Sequence, residues 1–330
     1  MHTMQPSDDR SHINPHANVI ENRLWPINMY RYSKTGDDWK KVNLRHQVNH
    51  SFVLPPQKEL AVYTWNVDFE STHVIERLEA AFRVLQEDLG EPMRPCVILL
   101  QELHAKALKA VKMNPWVQKY FYVTPLDHLK WPYPHQYGNI TLVHHSVQVK
   151  QAAMLEYRMS EGARTGIMVD VRMHAGRDES SSQPYKIMRI INTHLESGKG
   201  CAVEENRREQ LKLCADFLLN PNRGCDGGII GGDLNAFDLD SEQQVVEAGL
   251  LDAIDPGRLT TPEDGFTWGY QINKRSDYVY PKSRLDKFLY TPDRSFYVTH
   301  PDIIGKGSKD RGGRFVSDHY GLAADVVIQE

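Results

Sequence analysis

Residues 229–238 read IIGGDLNAFD. Two β-branched residues run into two glycines, and the chain passes at once to Asp233 and Asn235 with one residue between them. A short apolar run of this kind reads as a strand buried on both faces. The glycines mark a place where backbone or ligand approaches closely. A spacing of two puts both polar side chains on one face of an extended segment. An Asx-turn alone would account for that alternation, but the same kind of ending recurs along the chain.

YTWNVD (63–68) finishes on Asn66 and Asp68, and VILLQE (97–102) on Glu102. RIINTHLES (189–197) finishes on His194 and Ser197. RLDKF (284–288) carries Asp286, and FVSDHYG (315–321) places Asp318 and His319 just before a last apolar run. Burying such groups without partners costs roughly 1–3 kcal/mol for a neutral polar group and more for a charge. Convergence on one metal ion and one anionic substrate would compensate all of them together.

The strands that carry these endings share a pattern. LAVYTW, CVILLQE, NITLVHH, GIMVDVRM, KIMRIINTHLE, GGIIGGDLN, RLDKFLYT and GLAADVVIQ are short and rich in Val, Ile and Tyr. Helical patterns lie between them. STHVIERLEAAFRVLQEDLG (71–90) opens on Ser/Thr and closes on Gly, and EENRREQLKLCADFLLN (204–220) stops at Asn220-Pro221. Residues 173–186 form a polar loop. Strands mixed with helices predict an α/β sandwich of layers. A compact domain is expected over 59–330. Residues 1–58, rich in Asn, His and Pro, read as an N-terminal extension, partly disordered or docked on the domain through RLWPINMYRY (23–32).

Composition narrows the function classes. The 330 residues are 40% hydrophobic, enough for a sizeable core. Lys plus Arg number 39 and Asp plus Glu 43, a net charge of −4, so bulk electrostatics would not coat this protein onto nucleic acid. A nucleic-acid substrate needs a local grip. Four cysteines form no CxxC pair, which argues against a disulfide framework or a zinc site. No apolar run is long enough for a membrane span, and the first residues lack a secretory core segment. An intracellular monomer, in nucleus or cytoplasm, is the expectation.

Carboxylates without clustered Cys or His favour a hard cation, Mg2+ or Mn2+. Phosphoester hydrolysis then needs the metal, an acceptor for the attacking water and donors for the growing negative charge. Glu102 and Asp68 suit the metal, and Asp233 suits the water. Asn66, Asn235, His194 and His319 supply donors, with Asp286 placed to hold the His319 ring in one tautomer or simply to pair with Arg284 or Lys287.

The set TWNVD, LLQE, THLES, GGDLNAFD, SRLDKF and SDHYGL, in this order over about residues 60–328, resembles the endonuclease/exonuclease/phosphatase superfamily of deoxyribonuclease I-like proteins. Within it the chain is most similar to the 5′-tyrosyl-DNA phosphodiesterases, through THLESGKG with RREQLKL, GFTWGYQ and GRFVSDHYGL. The resemblance implies a four-layer α/β sandwich, two central and mostly antiparallel sheets flanked by helices. It also implies Mg2+-dependent phosphodiester hydrolysis at a DNA end, with or without attached peptide. By motif, Glu102 would be the metal ligand with Asp68 and Asn66 close by, and Asp318 would lie beside the metal. Asp233 and Asn235 would align the water, and His319, backed by Asp286, would stabilise the transition state. His194 and Ser197 would hold the phosphate, Lys199 would stand where the family has a substrate-gripping arginine, and Trp268 would wall the DNA groove. The same set would serve an RNA 3′-exonuclease or deadenylase, or an inositol-phosphate or phospholipid phosphatase. A non-catalytic binding module of this fold predicts loss of a catalytic group, and none is missing.

Overall fold

A computed structural model describes residues 23–44, 58–174, 185–237, 240–272, 281–292 and 295–329. Sixteen strands form two sheets among these residues. The seven-stranded sheet runs β1 (Arg23–Pro26), β8 (Gln148–Glu156), β9 (Thr165–Met173), β10 (Lys186–His194), β11 (Gly227–Asp233), β13 (Asp286–Tyr290), β12 (Leu251–Asp252). The nine-stranded sheet runs β14 (Phe296–Val298), β16 (Gly321–Ile328), β4 (Glu59–Asn66), β5 (Cys96–His104), β7 (Tyr137–His144), β6 (Phe121–Thr124), β2 (Tyr30–Ser33), β3 (Asp38–Lys41), with β15 (Asp302–Ile304) also on β16. Pairing is antiparallel except at the centre of each sheet, where β10–β11 and β4–β5 are parallel. Helices flank the two mixed sheets. The principal ones are α1 (Val74–Leu89) and α4 (Cys201–Leu219); α2 (Leu108–Met113), α3 (Pro115–Tyr120) and α5 (Ser241–Glu247) are shorter. The sandwich read from the sequence is the fold.

Alternation explains how each sheet builds two interfaces. On β10, Met188 and Ile190 join the core between the sheets, while Ile191 joins Leu211, Cys214, Phe217 and Leu218 of α4. On β11, Ile229 faces the inter-sheet core and Ile230 faces α4. His194 and Asp233 continue the inter-sheet rows and lie side by side in the β10–β11 register. The period-two rule thus delivers both side chains to the gap between the sheets.

The two glycines of the opening stretch are explained by packing. A Cβ on Gly231 would sit 2.7 Å from Leu99 Cδ1 of the opposite sheet and 2.7 Å from the Phe288 ring. A Cβ on Gly232 would lie 1.8 Å from the Thr193 carbonyl oxygen of β10. Two interfaces meet the strand at this point, and neither leaves room for a side chain.

Two expectations need correction. Residues 23–41, assigned to an extension outside the domain, supply β1, β2 and β3 to the two sheets. Met29 is fully buried, and Trp25, Ile27 and Tyr30 pack on the main core, so burial rather than surface docking holds this segment. The rest of the extension, 1–22 and 45–57, and most of the polar loop, 175–184, lie outside the described residues. Helix α1 begins after His73, which stands at the N-cap with a left-handed backbone and no side-chain cap; Ser71 and Thr72 instead offer their carbonyls to Arg77.

Gly231→Ala is expected to lower unfolding free energy by ~1–3 kcal/mol, the usual cost of overpacking a core. Gly232→Ala should cost more, because the obstacle is backbone. Urea denaturation of the two variants checks both the cost and the order.

Candidate active site

Three residues of this site hold left-handed, non-glycine backbone: Asp68 (φ 54°) and Asn235 (φ 49°), just past their strand ends, and Glu102 (φ 57°), inside β5. Such conformations store strain and turn a side chain away from the strand's alternation. Glu102 shows why that matters. Gln101 already faces the inter-sheet gap, where it bonds Asn192 at 2.8 Å and Thr64 at 3.0 Å. Strict alternation would send Glu102 to the other face. A bulge in the β5–β7 register between Leu100 and Leu103 inserts one residue and re-aims it.

Asp233 is the centre of the arrangement and is buried. Its Oδ2 accepts from Asn66 Nδ2 at 2.9 Å, a bond that crosses from one sheet to the other. Its Oδ1 accepts from the Asn235 backbone N–H at 2.9 Å. The Asn235 side chain donates to the Leu195 carbonyl at 3.0 Å, which ties the β11 end to the β10 end. Two imidazoles approach the same Oδ2, His194 Nε2 at 3.4 Å and His319 Nε2 at 3.7 Å. Burial raises the Asp233 pKa above the usual carboxylate range, with Asp286 adding to the rise and His319, Asn66 and the Asn235 amide opposing it.

The two histidines differ in protonation for stated reasons. His194 Nδ1 faces Arg164 Nη1 at 2.8 Å. A guanidinium only donates, so Nδ1 is an acceptor and the ring proton sits on Nε2, toward Asp233 and Glu102. Burial, Arg164 and His319 hold the His194 pKa well below normal, so the ring is neutral. His319 donates from Nδ1 to Asp286 Oδ2 at 2.8 Å. Burial opposes its charge, but Asp286, Asp233 and Asp318 outweigh that and raise its pKa well above normal. His319 is therefore a cation, with Nε2 3.7 Å from Asp233 Oδ2 and 3.9 Å from Asp318 Oδ1.

Ligand atoms of Glu102, His194 and Asp233 lie within 4.8 Å of one another, as do those of Asp233, Asp286 and His319. In these states Nε2 of each ring carries a proton and the His194 Nδ1 lone pair is taken by Arg164, so the carboxylates are the better donors. Glu102 is partly exposed, with Oε2 accepting from the Phe69 N–H at 3.2 Å and Oε1 3.8 Å from His194. Burial pushes its carboxyl up to about 7, Asp318 and Asp233 adding to the rise and Arg164 and His319 opposing it. Asp318 is raised by burial too, with Asp68 among the charges that add to the rise. Asp68 and Asp318 lie outside both close groups. Asp68 Oδ1 accepts from the backbone of Glu70 and Ser71, and its buried Oδ2 has no hydrogen-bond partner, with Arg77 Nη1 3.5 Å away. Asp318 Oδ2 accepts from Trp268 Nε1 at 2.9 Å. Mutually repelling carboxylates and an orphaned carboxylate oxygen are what a hard divalent cation satisfies.

The remaining expected residues fall at the rim. Ser197 is exposed, and its hydroxyl accepts from Arg164 Nη2 at 2.8 Å. Lys199 is exposed on the segment before α4. Trp268 bridges to His319 through backbone and stands with its ring 6.4 Å from that imidazole.

Two arginines escaped the sequence reading. Arg164 leaves a polar loop, SEGAR, with nothing in its neighbourhood to mark it; Glu196 holds that loop by accepting from Ser160 Oγ and Gly162 N. Arg77 is buried in α1 and donates to the carbonyls of Val67, Asp68, Ser71, Thr72 and Val316. It staples the loop of Asp68 to the loop of Asp318 and His319. A signal existed: Arg77 shares a helix face with Ala81 and Leu85, a cation on the apolar side.

Residues 63–319 match the Endonuclease/Exonuclease/phosphatase family, so the chain belongs to it. Members are metal-dependent hydrolases, and the chain is an enzyme of that class. No curated protein matches the sequence. Similar solved structures include D. rerio TDP2 complexed with single strand DNA product, at 20% identity and TM-score 0.62 over 81% of this chain and 98% of that one. Truncated Caenorhabditis elegans TDP2 gives 20% and 0.60 over 82% and 97%, and an endonuclease/exonuclease/phosphatase from Beutenbergia cavernae DSM 12333 gives 19% and 0.52 over 82% and 72%. At these identities the likeness is one of fold.

Imidazole 15N NMR tests the protonation assignment. His194 should show one proton, on Nε2, and His319 two at neutral pH. Asp286→Asn should lower the His319 pKa; an unchanged titration would remove Asp286 as the source of the charge.

Proposed function

We propose that this member of the endonuclease/exonuclease/phosphatase family hydrolyses phosphodiester bonds at DNA 5′ ends with Mg2+ or Mn2+, as a 5′-tyrosyl-DNA phosphodiesterase would. The observation that carries the chemistry is Asp233, a buried carboxylate held by Asn66 and Asn235 with two imidazole N–H groups aimed at it. Glu102, Asp68 and Asp318 would hold the cation, which when bound polarises the phosphoryl oxygen and offsets its developing charge.

The protein's own groups divide the rest of the work. Asp233 accepts the proton of the attacking water, and its two amide partners orient it for that. The His319 cation donates from Nε2 to a non-bridging phosphoryl oxygen, where negative charge grows in the transition state. His194 Nε2–H does the same as a neutral donor, and Arg164 fixes its tautomer. Ser197 stands at the rim on that side, held by the buried Arg164.

Support for a nucleic-acid end comes from the surface beside His319. Tyr270 and Tyr320 stack with ring centroids 5.5 Å apart and planes 13° apart. Lys282 stands 4.1 Å from the Tyr270 ring centroid and Lys306 5.8 Å from that of Tyr320. Aromatic faces accept bases of any sequence, and ammonium groups meet the backbone. The DNA product bound to D. rerio TDP2 supports the same class of substrate.

The first test is a single-stranded oligonucleotide with a 5′-phosphotyrosine, incubated with Mg2+ and with chelator. Release of a 5′-phosphate end should require the metal and fall by ~10²–10⁴ in Asp233→Asn, the range for loss of a general base. If generic phosphodiesters are cleaved but the tyrosyl adduct is not, the chemistry stands and the substrate moves. A second prediction concerns pH. Cation binding must displace the proton that burial favours on Glu102, so Mg2+ affinity should rise as pH climbs through about 7. Glu102→Gln should weaken Mg2+ binding and flatten that dependence in calorimetry.

A further inference from the structure

A cavity of about 560 Å³ opens at the far edge of the nine-stranded sheet, between the β2–β3 hairpin, the end of α3 and the turn after β7. Its wall carries Arg31, Lys34, Lys40, Lys41, Lys119 and His145. Five permanent cations line one concavity in a chain whose net charge is −4. Lys40 is paired with Asp38 at 3.0 Å, and the Lys119 ammonium lies 4.4 Å from the Tyr120 ring centroid. Among the described residues, Arg31, Lys34 and Lys41 meet no carboxylate. His145 adds a buried Nε2 with no hydrogen-bond partner, and Ser33 and Thr35 add hydroxyls to the wall. Asp38 offsets only part of this charge, and the repulsion that remains is one an anion in the cavity would relieve.

We propose that this cavity binds a compact, multiply phosphorylated small molecule. Its volume falls in the range of small-ligand sites. The cations come from two strands, the turn between them and a helix end, and surround a concavity, instead of forming the stripe that follows an extended backbone. Arg31 supplies a planar fork for phosphate oxygens and the lysines supply point charges. The site is separate from the catalytic one. Glu102 lies at the end of β5 that pairs with the start of β7, where His104 faces Tyr137. His145 follows the other end of β7, roughly 24 Å along the strand at ~3.4 Å per residue. β6 and β2 then intervene toward the sheet edge.

The test is titration of the full chain with inorganic tripolyphosphate, without divalent cation and at low salt. Three proteins are compared: wild type, Lys34→Gln/Lys41→Gln, and Asp233→Asn. Both lysines are exposed, so the double variant should fold, and near-UV circular dichroism verifies it. The expected result is one-to-one binding that weakens roughly tenfold or more in the double variant and with rising salt, and is kept in Asp233→Asn. Equal affinity in wild type and double variant, or no binding at all, would overturn the proposal. So would displacement of tripolyphosphate by a short single-stranded oligonucleotide, which would make the cavity a nucleic-acid backbone contact. Phosphodiester hydrolysis, measured alongside, should be unchanged in the double variant; its absence in all three proteins would bear on the catalytic reading and leave this one intact.

Discussion

The hydrogen bond from Asn66 to Asp233, 2.9 Å long and running from one sheet to the other, ties the site to the sandwich. Apolar contact between two sheets is strong but non-directional, and by itself would tolerate sliding. A buried amide and a buried carboxylate do not. Shifting either sheet by one residue would leave both unpaired at roughly 1–3 kcal/mol or more. The Gln101–Asn192 bond at 2.8 Å repeats the constraint one layer below, with Asn192 also donating to the Ile140 carbonyl. These polar bridges set the registry of the sheets, and that registry brings Glu102, His194, Asp233 and His319 within reach of one another.

The parts of the fold legible in the sequence were those where burial dictates composition. All eight strands read from β-rich apolar runs exist, because central strands buried on both faces admit little else. β1, β2, β3, β12, β14 and β15 are two to four residues long and sit at or near sheet edges. They are too short for periodicity to show. β8, QVKQAAMLE, was missed for a related reason: its alternation is broken where the register shifts between Val149 and Gln151. The site followed the same logic. Polar residues ending apolar runs were visible as anomalies. Arg164 was not, since a cation in a polar loop is ordinary until the fold brings it to His194.

What the sequence could not supply is the geometry that turns one carboxylate among several into the central one. Asp68 and Asn235, just beyond strand ends, and Glu102, within β5, all adopt left-handed backbone. None is a glycine, so no composition signal marks these turns. Each was placed near the chemistry by its position at the end of an apolar run and by the motif around it. The bulge before Leu103 and the turn at Glu102 then decide which way the carboxylate points.

Electrostatic division of labour follows from the partners, not from the residue types. Asp286 is spent on His319, whose cation it holds; Asp68 is largely spent on the Glu70 and Ser71 amides and on Arg77. Asp233 is hydrogen-bonded by two neutral amides, and burial with Asp286 keeps its pKa raised against the His319 cation 3.7 Å away. Glu102 and Asp318 are left facing one another's charge, which burial makes worse. The five carboxylates of one cluster thus differ by their partners: Asp286 by an imidazolium, Asp68 by loop amides with its Oδ2 left open, Asp233 by two amides, and Glu102 and Asp318 by repulsion. The two histidines complete the argument, since an arginine beside one and an aspartate beside the other make the same side chain a neutral donor and a cationic one about a single oxygen.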